Sequence, residues 1–78
     1  MQKIRPDLDL GKNIQMLRRA KKYTQNDVIA KLQLLGISIS KSTYAKIETN
    51  RMNIKVSELI ALKDIFEVSF DDFFVDLT

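Results

Sequence analysis

The segment from Thr24 to Glu48 constrains the fold of this chain more than any other stretch. Apolar residues at helical spacing follow Thr24, and Gly36 then supplies the left-handed conformation that ends many helices. A second helical pattern begins after Ser40, whose hydroxyl can accept hydrogen bonds from the free N–H groups of a first turn. The segment therefore predicts two capped helices joined by a turn.

The rest of the chain also has helical spacing, with only two glycines and one proline to interrupt it. We expect a first helix that is capped by Asp9 and ends near Lys21 and Lys22, where cations suit the helix dipole. A fourth helix follows the polar loop 50–53, and Ser69 caps a short fifth helix. The apolar residues that define these helices are Leu10, Ile14, Leu17, Val28, Ile29, Leu32, Leu35, Val56, Leu59, Ile60, Leu62, Phe66, Phe70 and Phe73. The sequence thus predicts a compact all-α domain of five helices.

Charge is divided unevenly along the chain. The net charge is +3, yet residues 1–55 hold twelve Lys and Arg against four acids, and residues 56–78 hold one Lys against six acids. A strongly basic first part favours a polyanionic partner such as nucleic acid. An uneven but merely solvated surface would have the same composition, so the charge alone leaves both interpretations open.

The residue types present argue against an enzyme. The chain has no histidine and no cysteine, which are the commonest general base and the commonest zinc ligands. No pair of the remaining carboxylates, lysines and hydroxyls has a recognisable catalytic spacing. We therefore expect no catalytic residues, no metal ion, no cofactor and no small-molecule ligand. The apolar runs are too short to span a membrane, and we expect a cytoplasmic protein.

The third predicted helix has two unlike sides. A helix that lies in the DNA major groove needs small or polar residues outward and apolar residues behind. Tyr44 and Ile47 lie toward the back. The outward side carries Lys41, Ser42, Ala45 and Lys46. Lysine and serine can donate to base edges, and alanine can contact a thymine methyl group. An ordinary lysine-rich surface helix remains the alternative.

Four motifs, in this order, resemble the Cro/phage-repressor type (XRE-like) helix-turn-helix domains. They are Leu10-Gly11-Lys12-Asn13-Ile14 with Leu17-Arg18, then Thr24-Gln25 with Val28-Ile29 and Leu32, then Ser40-Lys41-Ser42-Thr43-Tyr44 with Lys46-Ile47-Glu48, and finally Val68-Ser69-Phe70-Asp71-Asp72-Phe73-Phe74. The resemblance covers about residues 9–74. It implies a lambda-repressor-like fold for residues 9–75, with the helix-turn-helix at about 24–49, a flexible arm at 1–8 and a tail at 76–78.

The resemblance also implies roles for individual residues. Arg18 and Glu48 would form a partly buried ion pair between the first and third helices. The positions that contact double-stranded DNA in such domains correspond here to Gln25, Ser40, Lys41, Ser42, Ala45, Lys46, Thr49, Asn50 and Arg51.

Three features depart from the pattern of these domains. The connection from Leu32 to Ser40 is long, and we interpret it as an extra helical turn followed by a packed stretch with Ile37 and Ile39. Thr49-Asn50 replaces the usual glycine after the third helix, where asparagine tolerates the left-handed conformation. Glu67 stands where these domains usually have a glycine, directly before Val68.

Both chain ends permit two interpretations. Lys3 and Arg5 could reach a minor groove, although a frayed terminus is the expectation we favour. Phe74, Val75 and Leu77 cannot all be buried in so small a domain, and we expect them to form a dimer contact rather than a tail that folds back.

These observations predict a sequence-specific transcriptional regulator, in particular a repressor that binds its operator as a homodimer, associated with the nucleoid in the cytoplasm. The alternative is a protein-interaction module on the same fold, such as an antitoxin or a regulatory subunit, that binds DNA weakly.

Overall fold

A computed structural model describes residues 9–75, which form four α-helices and one short 3₁₀ helix. In chain order these are α1 Leu10–Ala20, α2 Gln25–Leu34, α3 Lys41–Glu48, α4 Val56–Phe66 and the 3₁₀ helix Phe70–Phe74. Residues 9–75 contain no strand. The all-α fold is confirmed, and the last of the five helices is a 3₁₀ turn. None of the helices in this part of the chain is long and apolar enough to cross a membrane.

One apolar core joins all five elements. α1 packs against α3 and the 3₁₀ helix, and α2 packs against α3 and α4. The buried apolar residues are Ile14, Val28, Leu32, Tyr44, Ile47, Ala61, Leu62, Phe66 and Phe73. The rings of Phe66 and Phe73 lie 6.4 Å apart at a tilt of 38°, so the 3₁₀ helix closes one end of the core.

The caps predicted for the two central helices are present. Thr24 Oγ1 accepts the N–H of Asp27 at 3.0 Å, and the Asp27 carboxylate accepts the N–H of Thr24 at 2.8 Å. Ser40 Oγ accepts the N–H of Thr43 at 3.1 Å at the start of α3. These bonds satisfy N–H groups that have no partner within their own helix.

Several apolar residues lie outside the core, contrary to the sequence-based expectation. Leu35 is 54% exposed because α2 ends at Leu34 and the chain turns at Gly36, whose φ is 87°. Phe70 belongs to the apolar pattern of the last helix but is 41% exposed, and the ammonium of Lys63 lies over its ring. The apolar spacing predicts burial for both residues, but it assumes regular helix geometry, and both lie at a helix end. Val56 and Ile60 of α4 are also exposed.

Asn50 and Glu67, which stand where the resemblance led us to expect glycine, both occupy the left-handed conformation. Asn50 has φ 61° directly after α3, and Glu67 has φ 58° directly after α4. Glu67 therefore ends α4 as a glycine would, and its carboxylate accepts a hydrogen bond from Lys21 at 2.6 Å. This exposed bond lowers the pKa of Glu67 and raises the pKa of Lys21.

Candidate nucleic-acid interface

The connection between α2 and α3 is a packed turn. Leu35 and Gly36 close the end of α2, and the N–H of Ile37 donates to the carbonyl of Leu32 at 2.9 Å. Ile37 and Ile39 are partly buried against the core. The helix thus continues to Leu34, and the rest of the connection packs Ile37 and Ile39 against the core and leaves α3 in contact with α2.

The outward side of α3 and the start of the next loop form one continuous surface. Its residues line a shallow, open depression of about 330 Å³ and are Ser42, Ala45, Lys46, Thr49 and Arg51. The opposite side of α3 is buried through Tyr44, Ile47 and Glu48. The two-sided character predicted for α3 is present, because the helix buries its apolar side on α1 and α2.

Two hydroxyl groups of the predicted site are already engaged in the fold. Ser40 Oγ caps α3 and lies within 3.0 Å of Thr43 Oγ1. Thr49 Oγ1 donates to the carbonyls of Ala45 and Lys46 at 3.1 and 3.2 Å. Ser40 lines a different depression, of about 240 Å³, on the side of α3 that faces the following loop. The structure thus brings together five of the predicted residues and places Ser40 apart from them.

Arg18 and Glu48 hold α3 against α1. Arg18 Nε donates to Glu48 Oε2 at 2.8 Å, and Arg18 Nη2 donates to Glu48 Oε1 at 3.2 Å. The guanidinium also donates to the carbonyl of Tyr23 at 2.9 Å. Both side chains are almost completely buried, so the positive charge of Arg18 is neutralised inside the domain and does not contribute to the outer surface.

Gln25 joins the same buried carboxylate. Its Nε2 donates to Glu48 Oε1 at 3.1 Å, which ties the first residue of α2 to the last residue of α3. Burial would raise the pKa of Glu48, but the hydrogen bonds from Arg18 and Gln25 outweigh it and lower the pKa below its usual range. Glu48 is therefore ionised at neutral pH and accepts bonds from two other helices.

The hydroxyl of Tyr44 lies in the same region of the core. It is buried and forms no hydrogen bond among the described residues. Burial raises the pKa of the Tyr44 phenol, and the nearby Glu48 carboxylate raises it further. The phenol is neutral at any physiological pH.

Asn50 is bound to the start of α1. Its Oδ1 accepts the N–H of Gly11 at 2.9 Å, and its Nδ2 donates to Asp9 Oδ1 at 2.7 Å. Asp9 occupies the N-cap position of α1, but its side chain makes no capping bond. The expected Asp9 cap is therefore wrong: Asn50, which is distant in the sequence, satisfies the helix terminus instead. The backbone carbonyls of Ile47 and Glu48 would lie only 2.5 and 2.7 Å from a Cβ added at Gly11.

Two structural residues were not identified from the sequence. Gly11 was quoted only as part of a motif, although only a residue without a side chain fits its contact with α3. Asn13 is buried and donates to the carbonyls of Phe73 and Val75 at 2.7 and 2.9 Å. An asparagine next to the apolar Ile14 was the available signal, since buried polar side chains need hydrogen-bond partners.

The exposed basic and polar side of α3, braced by α2 and locked to α1, defines a helix-turn-helix DNA-binding regulator of the XRE type. A family model described as helix-turn-helix matches residues 14–73, and the chain belongs to that family. This is a family of DNA-binding regulators and not of enzymes. Comparisons with curated proteins and with solved structures find no match.

Proposed function

We propose that this regulator is a repressor that binds its operator as a homodimer and reads base edges with the outward side of α3. One observation carries the proposal: Ser42, Ala45 and Lys46 share one open surface while the opposite side of α3 is buried. A helix held in this way can enter the major groove only with that surface facing the bases.

The residues of this surface divide by the chemistry that they offer. Ser42, in the first turn of α3, and Lys46, one turn later, can donate to guanine or another base edge, and Ala45 between them can contact a thymine methyl group. We assign sequence discrimination to these three residues.

Phosphate contacts are assigned to the ends of the motif. Lys41 lies at the start of α3, and Arg51 follows its end; both are exposed. Gln25 lies at the start of α2, where free N–H groups and the helix dipole favour a phosphate. Asn50 was also expected to contact DNA, but its amide already has two partners on the α1 side, so we assign it to holding α3.

The proposed dimer contact is apolar. Phe74 and Val75 are each about half exposed at the end of the 3₁₀ helix, while the neighbouring Phe73 is buried. Leu77 belongs to the same proposed contact but lies outside the described residues. Two such surfaces related by a two-fold axis would present two copies of α3 to successive major grooves.

Selection of binding sites from a random DNA pool tests the proposal. The expected result is an inverted repeat, with a reporter placed behind that site expressed less when the protein is present. A pool without any enriched sequence would contradict sequence-specific readout, and a single, unpaired half-site would contradict the homodimer.

A second candidate function is favoured by a separate observation. Leu34 is 86% exposed at the end of α2, and with Leu35 it lines an open depression beside Tyr23, Lys31 and Ile65. Such a patch suits a partner protein, as in an antitoxin or a regulatory subunit. Gel filtration of the isolated chain and capture of a stable partner from its host distinguish this function, since a dedicated repressor needs no partner.

A further inference from the structure

The last described segment of the chain is attached to α1 by one buried side chain. Asn13 Nδ2 donates to the carbonyl of Phe73 at 2.7 Å and to the carbonyl of Val75 at 2.9 Å. These two carbonyls flank Phe74 and are about sixty positions from Asn13 in the sequence. The Asn13 side chain therefore holds the backbone on both sides of the exposed Phe74.

Because Asn13 is buried, its amide depends on these two hydrogen bonds. Asn13 is only 3% exposed, and a buried amide without partners is costly. Because both bonds go to backbone carbonyls, they constrain the direction of the chain after the 3₁₀ helix whatever its side chains are. Phe73 is thereby held inward, and Phe74 and Val75 are held outward.

The same helix also holds α3. Gly11, two residues before Asn13, contacts the last carbonyls of α3, and Arg18, five residues after it, bonds Glu48. α1 is thus a single rigid element with α3 attached at two points and the C-terminal surface attached at one. The orientation of Phe74 relative to α3 is set through α1.

The surface next to Asn13 carries charges of both signs that a second copy of this chain could complement. Lys12, Met16 and Arg19 recur at i, i+4 and i+7 on α1, are all exposed, and form a stripe that borders Asn13 on the solvent side. Asp71 and Asp72, on the attached 3₁₀ helix, are exposed as well. A two-fold axis through such a surface can set the basic side of one copy against the acidic side of the other, around apolar Phe74 and Val75.

We propose that Asn13 is the positioning residue that determines the separation of the two half-sites read by a dimer of this chain. This rests on the homodimer proposed above. With both Asn13 hydrogen bonds intact, the two copies of α3 have one fixed relative position. The dimer then binds only operators with one spacing between the half-sites. Without these bonds, the dimer surface becomes a flexible attachment, and several spacings are accepted.

The test measures binding to inverted repeats whose central spacer is lengthened or shortened by one or two base pairs. The wild-type protein should lose about tenfold or more in affinity when the half-sites leave their helical register. Asn13→Ser and Asn13→Ala should lose no more than about threefold over the same series, since a flexible link tolerates changes in span. Affinity for an isolated half-site should be unchanged in both variants.

Gln15→Ser is the matched control, because it makes a similar change two residues away on α1. It should keep the spacing preference of the wild-type protein. Circular dichroism and half-site binding report whether each variant is folded, and Asn13→Ser is the milder change if Asn13→Ala does not fold.

Each outcome decides the proposal. Retention of the wild-type spacing preference by both Asn13 variants overturns it. Loss of half-site binding by both also overturns it, because Asn13 would then support the whole domain rather than one surface. If the wild-type protein binds DNA only as a monomer, the proposed homodimer is wrong. The wild-type measurement alone shows this, without the Asn13 variants.

Discussion

Arg18 Nε donates to Glu48 Oε2 at 2.8 Å, and this bond joins the ninth residue of α1 to the last residue of α3. The carboxylate also accepts a bond from Gln25 at the start of α2. Glu48, at the end of α3, is therefore bonded to both α1 and α2. The orientation of α3 depends on it although it does not face the outer surface.

Glu48→Ala should lower the free energy of unfolding by about 3 kcal/mol, because it leaves the buried guanidinium of Arg18 without its partner. Urea denaturation measures the change. Lys21→Ala is the control, since it removes an even shorter ion pair, to Glu67, that is exposed and screened by water. Equal destabilisation by the two substitutions would contradict the structural role of Glu48.

Stability should fall in acid as Glu48 is protonated. Its pKa is lowered in the folded protein, so the folded state binds this proton less readily than the unfolded state does. The resulting stabilisation is complete above the ordinary glutamate pKa of about 4.3 and is lost as the pH falls through the lower, folded value. Denaturation series of the wild-type protein and Glu48→Gln between pH 7 and pH 3 measure this. The variant should show the shallower dependence below about pH 4.

Gly11→Ala should destabilise the domain, although alanine is the better helix former. The added Cβ would meet the carbonyl oxygens of Ile47 and Glu48 at 2.5 and 2.7 Å, and backbone atoms of α3 cannot move aside without moving the helix. We expect a loss of about 1–3 kcal/mol, the usual cost of overpacking. Thermal unfolding gives the sign directly: a gain in stability would mean that α1 and α3 are not in close contact. DNA affinity should fall in parallel.

Asn50→Gly and Asn50→Ala separate the two roles of Asn50. Glycine keeps the left-handed conformation but loses the bond to Gly11, which should cost about 1 kcal/mol, as for loss of a cap. Alanine loses that bond and strains the backbone by a further 1–2 kcal/mol, approximately. Denaturant unfolding measures both. The affinity for DNA should be unchanged by Asn50→Gly, whereas an equal loss of affinity for all sequences would restore Asn50 as a phosphate contact.

Lys46→Ala and Arg51→Ala should affect DNA binding differently. Lys46 lies on the outward side of α3, and its loss should change the preferred base at one position by about 1–3 kcal/mol of discrimination. Arg51 follows α3, and its loss should weaken binding to all sequences alike and reduce the slope of log affinity against log salt by about one. Titrations of operator and unrelated DNA at several salt concentrations measure both effects. An unchanged salt slope for Arg51→Ala would argue against its phosphate contact.

The local elements of the fold were predictable from the sequence. Thr24 and Ser40 cap α2 and α3, and Gly36 turns left-handed, because caps and turns depend on residues within three or four positions of each other. The two-sided composition of α3 was readable for the same reason, since helical spacing alone assigns residues to sides. Burial at helix ends was not: Leu35 and Phe70 continue the apolar spacing yet lie in solvent.

The sequence by itself thus determined the helices, their order and the side of α3 that faces outward, because these follow from short-range periodicity and hydrogen bonding. Only the tertiary structure decided that Asn13 and Asn50 serve the fold. Asn50 binds Gly11 across 39 positions, and Asn13 binds Phe73 across 60. An asparagine offers the same amide to a base, a phosphate or a distant carbonyl, and which partner it takes is decided by what the packed helices bring within 3 Å.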